Sequence, residues 1–533
     1  MLGGMQDWEL RISTLIDHAA REHAGREIVT RWADGNETRT SWAGIRHDAL
    51  RMVQALRRLG LRPQDRVATL AMNHSCHLVS WFGAIGAGCI LHTVNPRLFD
   101  EQLDYIVNHA EDRVLIYDAA FQPLVERMRP RWPTIEHYIC FDSAECAPSF
   151  EDWIGREDGD AQWEEGSERD PAMLCYTSGT TGNPKGVLYE HRSTILHTMA
   201  ACQPAVLALE PRSVVMPIAP MFHAASWGMP WACAATGAKY VCCANNDPAT
   251  LLGLMEREGV SHVAGVPTVW LSLIQYCDAR GQDLPPIRQA LAGGSALPAA
   301  IIERLMRSGV RVAHAWGMTE TSPIMTIAYE PAVWDARDFD AQVRFKALQG
   351  RPQFGAEVRA VDLDDHSREL PRDGKTAGAL QVRGPWVIKR YFKAEADAVQ
   401  AEGQWFDTGD VAVIHPDGTL QLTDRTKDVI KSGGEWISSV DLENAAIGHP
   451  AVAEAGCIGV YHPKWDERPL LLVVRKPGME VSAEELRAYL SDKIAKWWLP
   501  DAVEFLDELP HTATGKISKK DLRAMFADYR LEA

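Results

Sequence analysis

Residues 177–186 read TSGTTGNPKG, with four hydroxyls, three glycines and one lysine in ten positions. The apolar run Met173-Leu174-Cys175-Tyr176 precedes the stretch and Val187-Leu188-Tyr189 follows it, so it reads as a loop between two buried strands. Such a loop suits a phosphate chain. Glycines let the backbone come close and turn its N–H groups inward. Hydroxyls donate to phosphate oxygens, and a lysine adds a mobile positive charge. This is not a Walker A loop, which needs glycine directly before the lysine and Ser or Thr directly after it; here Pro184 and Gly186 flank Lys185. On composition alone, a flexible polar loop is the stronger account.

The rest of the chain bounds the answer. At 533 residues it is too long for one ordinary core, and two to four domains are expected. A formal net charge of −17 argues against a nucleic-acid or anionic-membrane partner, so any polyanion site must be built locally. Eleven cysteines without a C-x-x-C pair read as reduced thiols of a cytoplasmic protein rather than a disulfide frame or zinc site. The start, MLGGMQDWEL, has neither a basic segment nor a long apolar one, so no secretory leader is expected. The longest weakly polar run, 78–91, falls short of the ~20 residues of a membrane span, so no transmembrane segment is expected.

Hydrophobic periodicity divides the chain. Residues 40–118 alternate helix and strand in a βαβαβ pattern: a helix capped at Thr40 or Ser41 and stopped at Gly60, then strands at 66–72, 89–94 and 114–117. Residues 143–171 read as a polar surface connection. Residues 187–317 resume the alternation, with strands at 214–218, 239–243, 262–266, 289–293 and 310–315, a second doubly wound unit. Residues 350–424 carry short β-like runs, including 405–407 and 411–414, and read as a small antiparallel sheet or barrel. Residues 425–533 read as a small α+β lobe.

Several constellations stand at strand ends or composition breaks, each with a plainer alternative. In AWGMTETSP, Thr319 and Glu320 can hold an α-phosphate oxygen and Mg²⁺; the same residues would suit a helix N-terminus. In FDTGD, Asp410 can accept both ribose hydroxyls, or the residues form an Asx turn. DRTKDVIKSGGE, from Asp424, would also serve as a charged linker. Lys516 in PHTATGKISKK would ordinarily be an exposed solubility residue. His223, in MFHAASWGMPW, is a core histidine on the plain reading.

Taken in order, these segments resemble the adenylate-forming superfamily, which includes acyl-CoA synthetases, non-ribosomal adenylation domains and firefly-type luciferases. Six matching segments spread over almost the whole chain carry the resemblance. It implies an α/β protein with a large N-terminal domain, 1–424, of two doubly wound αβ subdomains plus a small β-barrel, and a mobile small α+β C-terminal domain, 425–533. It implies that Thr177, Ser178, Gly179, Thr180, Thr181, Gly182 and Lys185 hold phosphates, that Gly294, Ser295 and Ala296 face the adenine, and that Trp316 (in a position usually tyrosine), Gly317, Met318 and Thr319 contact the nucleotide. Asp410 would bind the ribose and Arg425 would contact the nucleotide. Glu320, with Thr181 as a second candidate, would hold Mg²⁺. Lys427 would be the hinge, and Lys516, with Thr319, Glu320 and His223, would serve catalysis. The acyl pocket would be formed by His223, Trp227, Trp231, Val266 and Gly317. Lys431, Ser432, Gly433, Gly434 and Trp436 would line the CoA path.

The implied reaction is ATP-dependent acyl-CoA formation through acyl-AMP, with a carboxylic acid, ATP, Mg²⁺ and coenzyme A. The ending at 533 without a carrier-protein domain favours free CoA. The forms AWGMTETSP, KSGGEWIS and WDERPLL resemble bacterial medium-chain fatty acyl-CoA ligases and 3-methylmercaptopropionyl-CoA ligases. Where many relatives have Gly-Glu after the tryptophan, this chain has Trp465-Asp466-Glu467, which puts transfer of their C-lobe CoA contacts in doubt. The bulk of Trp227 and Trp231 points to a short or medium acyl chain. A 3-methylthiopropionate or aryl-acid ligase with the same mechanism is the alternative. An inactive acyl- or nucleotide-binding sensor is a further one, against which intact Lys185, Thr319, Glu320, Asp410 and Lys516 weigh. A homodimer is compatible with this reading.

Overall fold

The computed structural model describes residues 3–143, 148–177, 183–400, 403–433, 435–512 and 517–531. Two α/β units share a continuous apolar core. The first holds a six-stranded sheet in the order His137–Cys140, Asp112–Tyr117, Arg66–Leu70, Ile90–Thr93, Pro171–Tyr176, Gly186–Glu190. All neighbours are parallel except the last pair, which flanks the glycine-rich loop. Helix Trp42–Arg58 covers one face. Its cap is Ser41, whose Oγ accepts from the Gly44 N–H, and it packs closely on helix Ser75–Gly86. A Cβ at Gly83 would lie 2.7 Å from the Met52 sulfur, so the close approach requires glycine.

The second unit holds a nine-stranded sheet, in the order Arg351–Pro352, Ile324–Ile327, Arg311–Gly317, Gln289–Ala292, His262–Gly265, Val214–Pro217, Lys239–Cys243, Glu27–Arg31, Glu37–Ser41. Its last two strands are an N-terminal hairpin that reaches across from the first unit. The hairpin is invisible to periodicity because Glu37–Ser41 is entirely polar and largely exposed. The segment 143–171 is mostly loop but contains helix Phe150–Ile154, which buries Phe150, Trp153 and Ile154.

The third unit is a four-stranded antiparallel sheet, Glu357–Val361, Gly378–Arg383, Phe406–Ile414, Leu420–Arg425. Where two strands and a turn are read from the sequence, one strand runs unbroken from Phe406 to Ile414. Gly409, at φ +70°, and a register shift opposite it absorb the irregularity. The Asx contact is present inside the strand: Asp407 Oδ1 accepts from the Gly409 N–H at 2.9 Å.

Beyond Arg425 a five-stranded sheet with its own apolar clusters forms around Asp466–Arg475, paired with Val452–His462 on one side and Ala502–Phe505 on the other. Asp424 joins this lobe to the body: its Oδ2 accepts from both the N–H and the Oγ of Ser439, each at 2.6 Å. Among the described residues no cysteine is in a disulfide and no helix is long and apolar enough to cross a membrane.

Candidate active site

A cleft of about 470 Å³ opens where the first three sheets meet. That volume falls within the range of small-molecule sites, and the cleft lies beyond the carboxyl ends of parallel strands, where open α/β sheets place ligands.

The first sheet contributes Thr177 and Lys185, which close the base of the glycine-rich loop. The Thr177 N–H donates to the Lys185 carbonyl at 2.9 Å, and the Lys185 N–H donates to Thr177 Oγ1 at 3.0 Å. The Lys185 ammonium lies 4.8 Å from the centre of the Tyr391 ring, a cation–π contact. Ser178, Gly179, Thr180, Thr181 and Gly182 lie outside the described residues.

The second sheet delivers Trp316, Gly317, Met318, Thr319 and Glu320 at the end of strand Arg311–Gly317. Thr319 to Thr321 form a single 3₁₀ turn rather than the start of a longer helix. The Tyr189 hydroxyl donates to the Thr319 carbonyl at 2.6 Å, and the Tyr391 hydroxyl to Glu320 Oε1 at 2.9 Å. Gly317 admits no side chain, because a Cβ there would lie 1.7 Å from the Pro323 carbonyl oxygen.

The third sheet contributes Arg425 to the lining; Asp410 faces it across paired strands and stands behind the lining, not in it. Asp410 is 3% exposed. Arg425 Nε donates to its Oδ1 at 2.9 Å and the Trp316 indole N–H to its Oδ2 at 3.1 Å. The tryptophan that stands in the usual tyrosine position therefore holds this carboxylate. Thr426 and Lys427 continue the wall. Burial lowers the Lys427 pKa, with Asp428 opposing and Arg425 reinforcing. Lys185, Arg425 and Lys427 bring three cationic side chains to the cleft, beside the carboxylates of Glu320 and Asp407 in its lining and of Asp410 behind Arg425.

The other end of the cleft is formed by His223, Ala224, Trp227, Gly293 and Gly294. Here the backbone is strained: Ala224, Ser226 and Trp227 all take left-handed φ values, +41°, +48° and +55°. No sequence signal marks this, since none of the three is glycine or asparagine. Trp231, expected in the same wall, is absent from it. It is 2% exposed and packs against Trp81 and Phe82, with ring centres 5.1 and 5.2 Å away. Helix Met229–Thr236 turns it into the core. Val266, Ser295 and Ala296 are likewise not among the lining residues; Val266 stands behind Gly294.

Lys431, Ser432 and Gly433 lie in the C-terminal lobe, away from the cleft lining. Ser432 Oγ accepts from Arg468 at 3.1 Å, and the Gly433 N–H donates to the Trp465 carbonyl at 2.7 Å. Gly434, Lys516 and the Trp436 side chain lie outside the described residues. Tyr391 is the functional candidate that the sequence reading did not find. It sits outside every quoted motif, and only the fold brings it to the cleft.

No group of three or more His, Cys, Asp or Glu side chains capable of caging a metal occurs among the described residues. Glu320, 7% exposed with one oxygen held by Tyr391, is one of two carboxylates among the cleft's described lining residues, the other being Asp407. That fits Mg²⁺, which keeps several waters and binds through one or two carboxylates plus substrate phosphates.

Residues 16–392 match the AMP-binding enzyme family, and residues 441–516 match the AMP-binding enzyme C-terminal domain. The chain is 46% identical to a 3-methylmercaptopropionyl-CoA ligase of Ruegeria pomeroyi over 99% of both chains. It is 42% identical to a medium-chain-fatty-acid–CoA ligase of Ectopseudomonas oleovorans, over 100% of this chain and 99% of the other. Its fold is similar to the crystal structure of the anthranilate CoA ligase AuaEII in complex with anthranoyl-AMP, with a TM-score of 0.86, 25% identity and 98% of each chain covered.

Proposed function

The chain belongs to the AMP-binding enzyme family, and from that premise we propose that it joins a short- or medium-chain carboxylic acid to coenzyme A through an acyl-AMP intermediate. It is an acid–thiol ligase of the AMP-forming kind. One observation carries the reading: a single cleft gathers a phosphate-loop lysine, a Thr-Glu pair, an arginine backed by the buried Asp410 and an aromatic apolar end.

A carboxylate is a poor electrophile because oxide is a poor leaving group. Attack of its oxygen on the α-phosphorus of ATP expels pyrophosphate and forms the mixed anhydride. Positioning and electrostatics supply most of the catalysis in such phosphoryl chemistry. In this cleft Lys185 holds the outer phosphates and Thr319 an α-phosphate oxygen. Asp410 accepts from the ribose, braced by Trp316 and Arg425. Mg²⁺, when bound by Glu320, neutralises charge on the phosphates. His223, Ala224 and Trp227 border the acid. Lys516 is assigned the role of covering the reacting oxygens. A thiol then attacks the acyl carbon, forms the thioester and releases AMP.

The two half-reactions need different neighbours, so we assign 425–533 as a mobile lid on a body of 1–424, with Lys427 as pivot. Lys431, Ser432, Gly433, Gly434 and Trp436 are assigned to the thiol path in the turned lid. The reaction is proposed to run in the cytoplasm, and a homodimer is a proposal for sedimentation analysis.

The name of the 46%-identical relative supports a second reading of the acid, 3-methylthiopropionate. AMP and thioester formation should be measured across straight-chain acids from two to sixteen carbons, with benzoate and 3-methylthiopropionate alongside. The expected optimum is about six to ten carbons, given the bulk of Trp227 at the apolar end. An optimum at 3-methylthiopropionate would select the second reading, and no AMP with any acid would return the chain to a binding or sensor role.

A further inference from the structure

A strap of backbone between residues 386 and 393 borders the cleft at Tyr391 and is fastened to both α/β units. On the second unit, the Ile388 N–H donates to the Glu320 carbonyl at 2.8 Å, and the Ser322 hydroxyl donates to the Trp386 carbonyl at 2.8 Å. On the first, the Phe392 N–H donates to the Gly186 carbonyl at 2.8 Å, and Lys393 pairs with Glu111 at 2.7 Å. The strap therefore links the residue after Lys185 to Glu320 itself.

Tyr391 sits in the middle of the strap and lines the cleft. Its hydroxyl donates to Glu320 Oε1 at 2.9 Å, and its ring lies under the Lys185 ammonium at 4.8 Å. One side chain thus touches the cation that meets phosphate and the carboxylate that meets metal. Left alone in one cleft, a lysine and a glutamate would form a direct ion pair and neutralise each other. Tyr391 gives each a different partner. The ring offers the ammonium a weak contact that phosphate oxygens can replace, and the hydroxyl fixes one carboxylate oxygen while the other stays available.

We propose that Tyr391 is a positioning residue for MgATP: it keeps Lys185 and Glu320 apart and preset, the phenol acting on the metal carboxylate and the ring on the phosphate lysine. The inference rests on the proposed role of Glu320. Outer partners that orient metal-binding carboxylates typically matter by 10- to 100-fold in metal affinity, and that scale applies to the hydroxyl.

The test is calorimetric binding of ATP and AMP to the full-length protein and to Tyr391→Phe and Tyr391→Leu, with EDTA and across a Mg²⁺ series. Tyr391→Phe removes the donor and keeps the ring. It should bind ATP in EDTA like the unmodified protein but need roughly tenfold more Mg²⁺, or above, for the metal-enhanced binding. Tyr391→Leu should also bind ATP more weakly in EDTA. AMP, which lacks the outer phosphates, should bind all three alike, and this separates the effect from misfolding. An unchanged Mg²⁺ requirement in Tyr391→Phe overturns the inference while leaving the ligase reading intact. AMP binding that falls in step with ATP binding overturns it as a general structural defect. If the unmodified protein binds ATP with no Mg²⁺ dependence, the assignment of Glu320 falls, and the inference with it.

Discussion

Two tryptophans four positions apart show how much a side chain's role depends on where the backbone sends it. Trp227 and Trp231 look alike in the sequence, and both read as acyl-pocket wall. The left-handed turn from Ala224 to Gly228 leaves Trp227 lining the cleft beside Gly293 and Gly294. Helix Met229–Thr236 carries Trp231 into the core, against Trp81 and Phe82. Trp227→Ala should therefore move the acyl preference to longer acids, read from kcat/KM across the acid series. Trp231→Ala should instead lower stability, by about 3–5 kcal/mol for a buried tryptophan, with the preference unchanged. A shift in preference on changing Trp231 alone would return it to the pocket. At this scale the charged and glycine positions were the legible ones. Lys185, Glu320 and Arg425 line the cleft, because their motifs sit at strand ends that topology brings together, whereas Asp410, inside the strand Phe406–Ile414, stands behind Arg425.

Among the elements, helix His191–Ala201 is fastened through its histidines to the N-terminal segment and to the second α/β unit. His191 Nδ1 accepts from the Ile12 N–H at 3.1 Å, and His197 Nε2 from the Ile324 N–H at 3.2 Å. Both rings must be neutral to accept. Burial lowers their pKa values to about 3 and about 4, from 6.5, with Arg11 adding to the effect on His191. Below about pH 6.5 the unfolded chain takes up protons that the folded one refuses, so stability rises with pH in this range and falls on acidification towards pH 4. Thermal unfolding midpoints should drop between pH 7 and pH 5. His197→Gln, whose amide oxygen can still accept from Ile324, should drop less steeply. An equal slope would show that other groups set the acid limit.

This helix also marks where sequence reading ran out. Its faces are buried nearly all round, so it has no amphipathic period to detect. The hairpin Glu27–Ser41 escaped for the opposite reason, one strand being wholly polar. The elements read correctly include helices with a strong one-sided pattern and a stop signal, such as Trp42–Arg58 ahead of Gly60, and short apolar runs that form buried strands, such as Lys239–Cys243.

The whole molecule is a body with a cleft and a lobe joined to it beyond Arg425. The sequence announced this division through a change in composition and through motifs that resemble a known family. It did not announce the joint itself: Asp424 of the body is bonded to Ser439 of the lobe, a contact fourteen residues past the strand end at Arg425. The account makes the first half-reaction independent of the thiol. The measurement that tests it most directly is exchange of labelled pyrophosphate into ATP in the absence of CoA, for the unmodified enzyme and for Lys516→Ala. The account predicts exchange that requires the acid and not CoA, and its loss by at least about a hundredfold in Lys516→Ala, the scale of removing one preorganised transition-state charge partner. No exchange until CoA is added, or equal exchange without any acid, would contradict an acyl-AMP intermediate formed in this cleft.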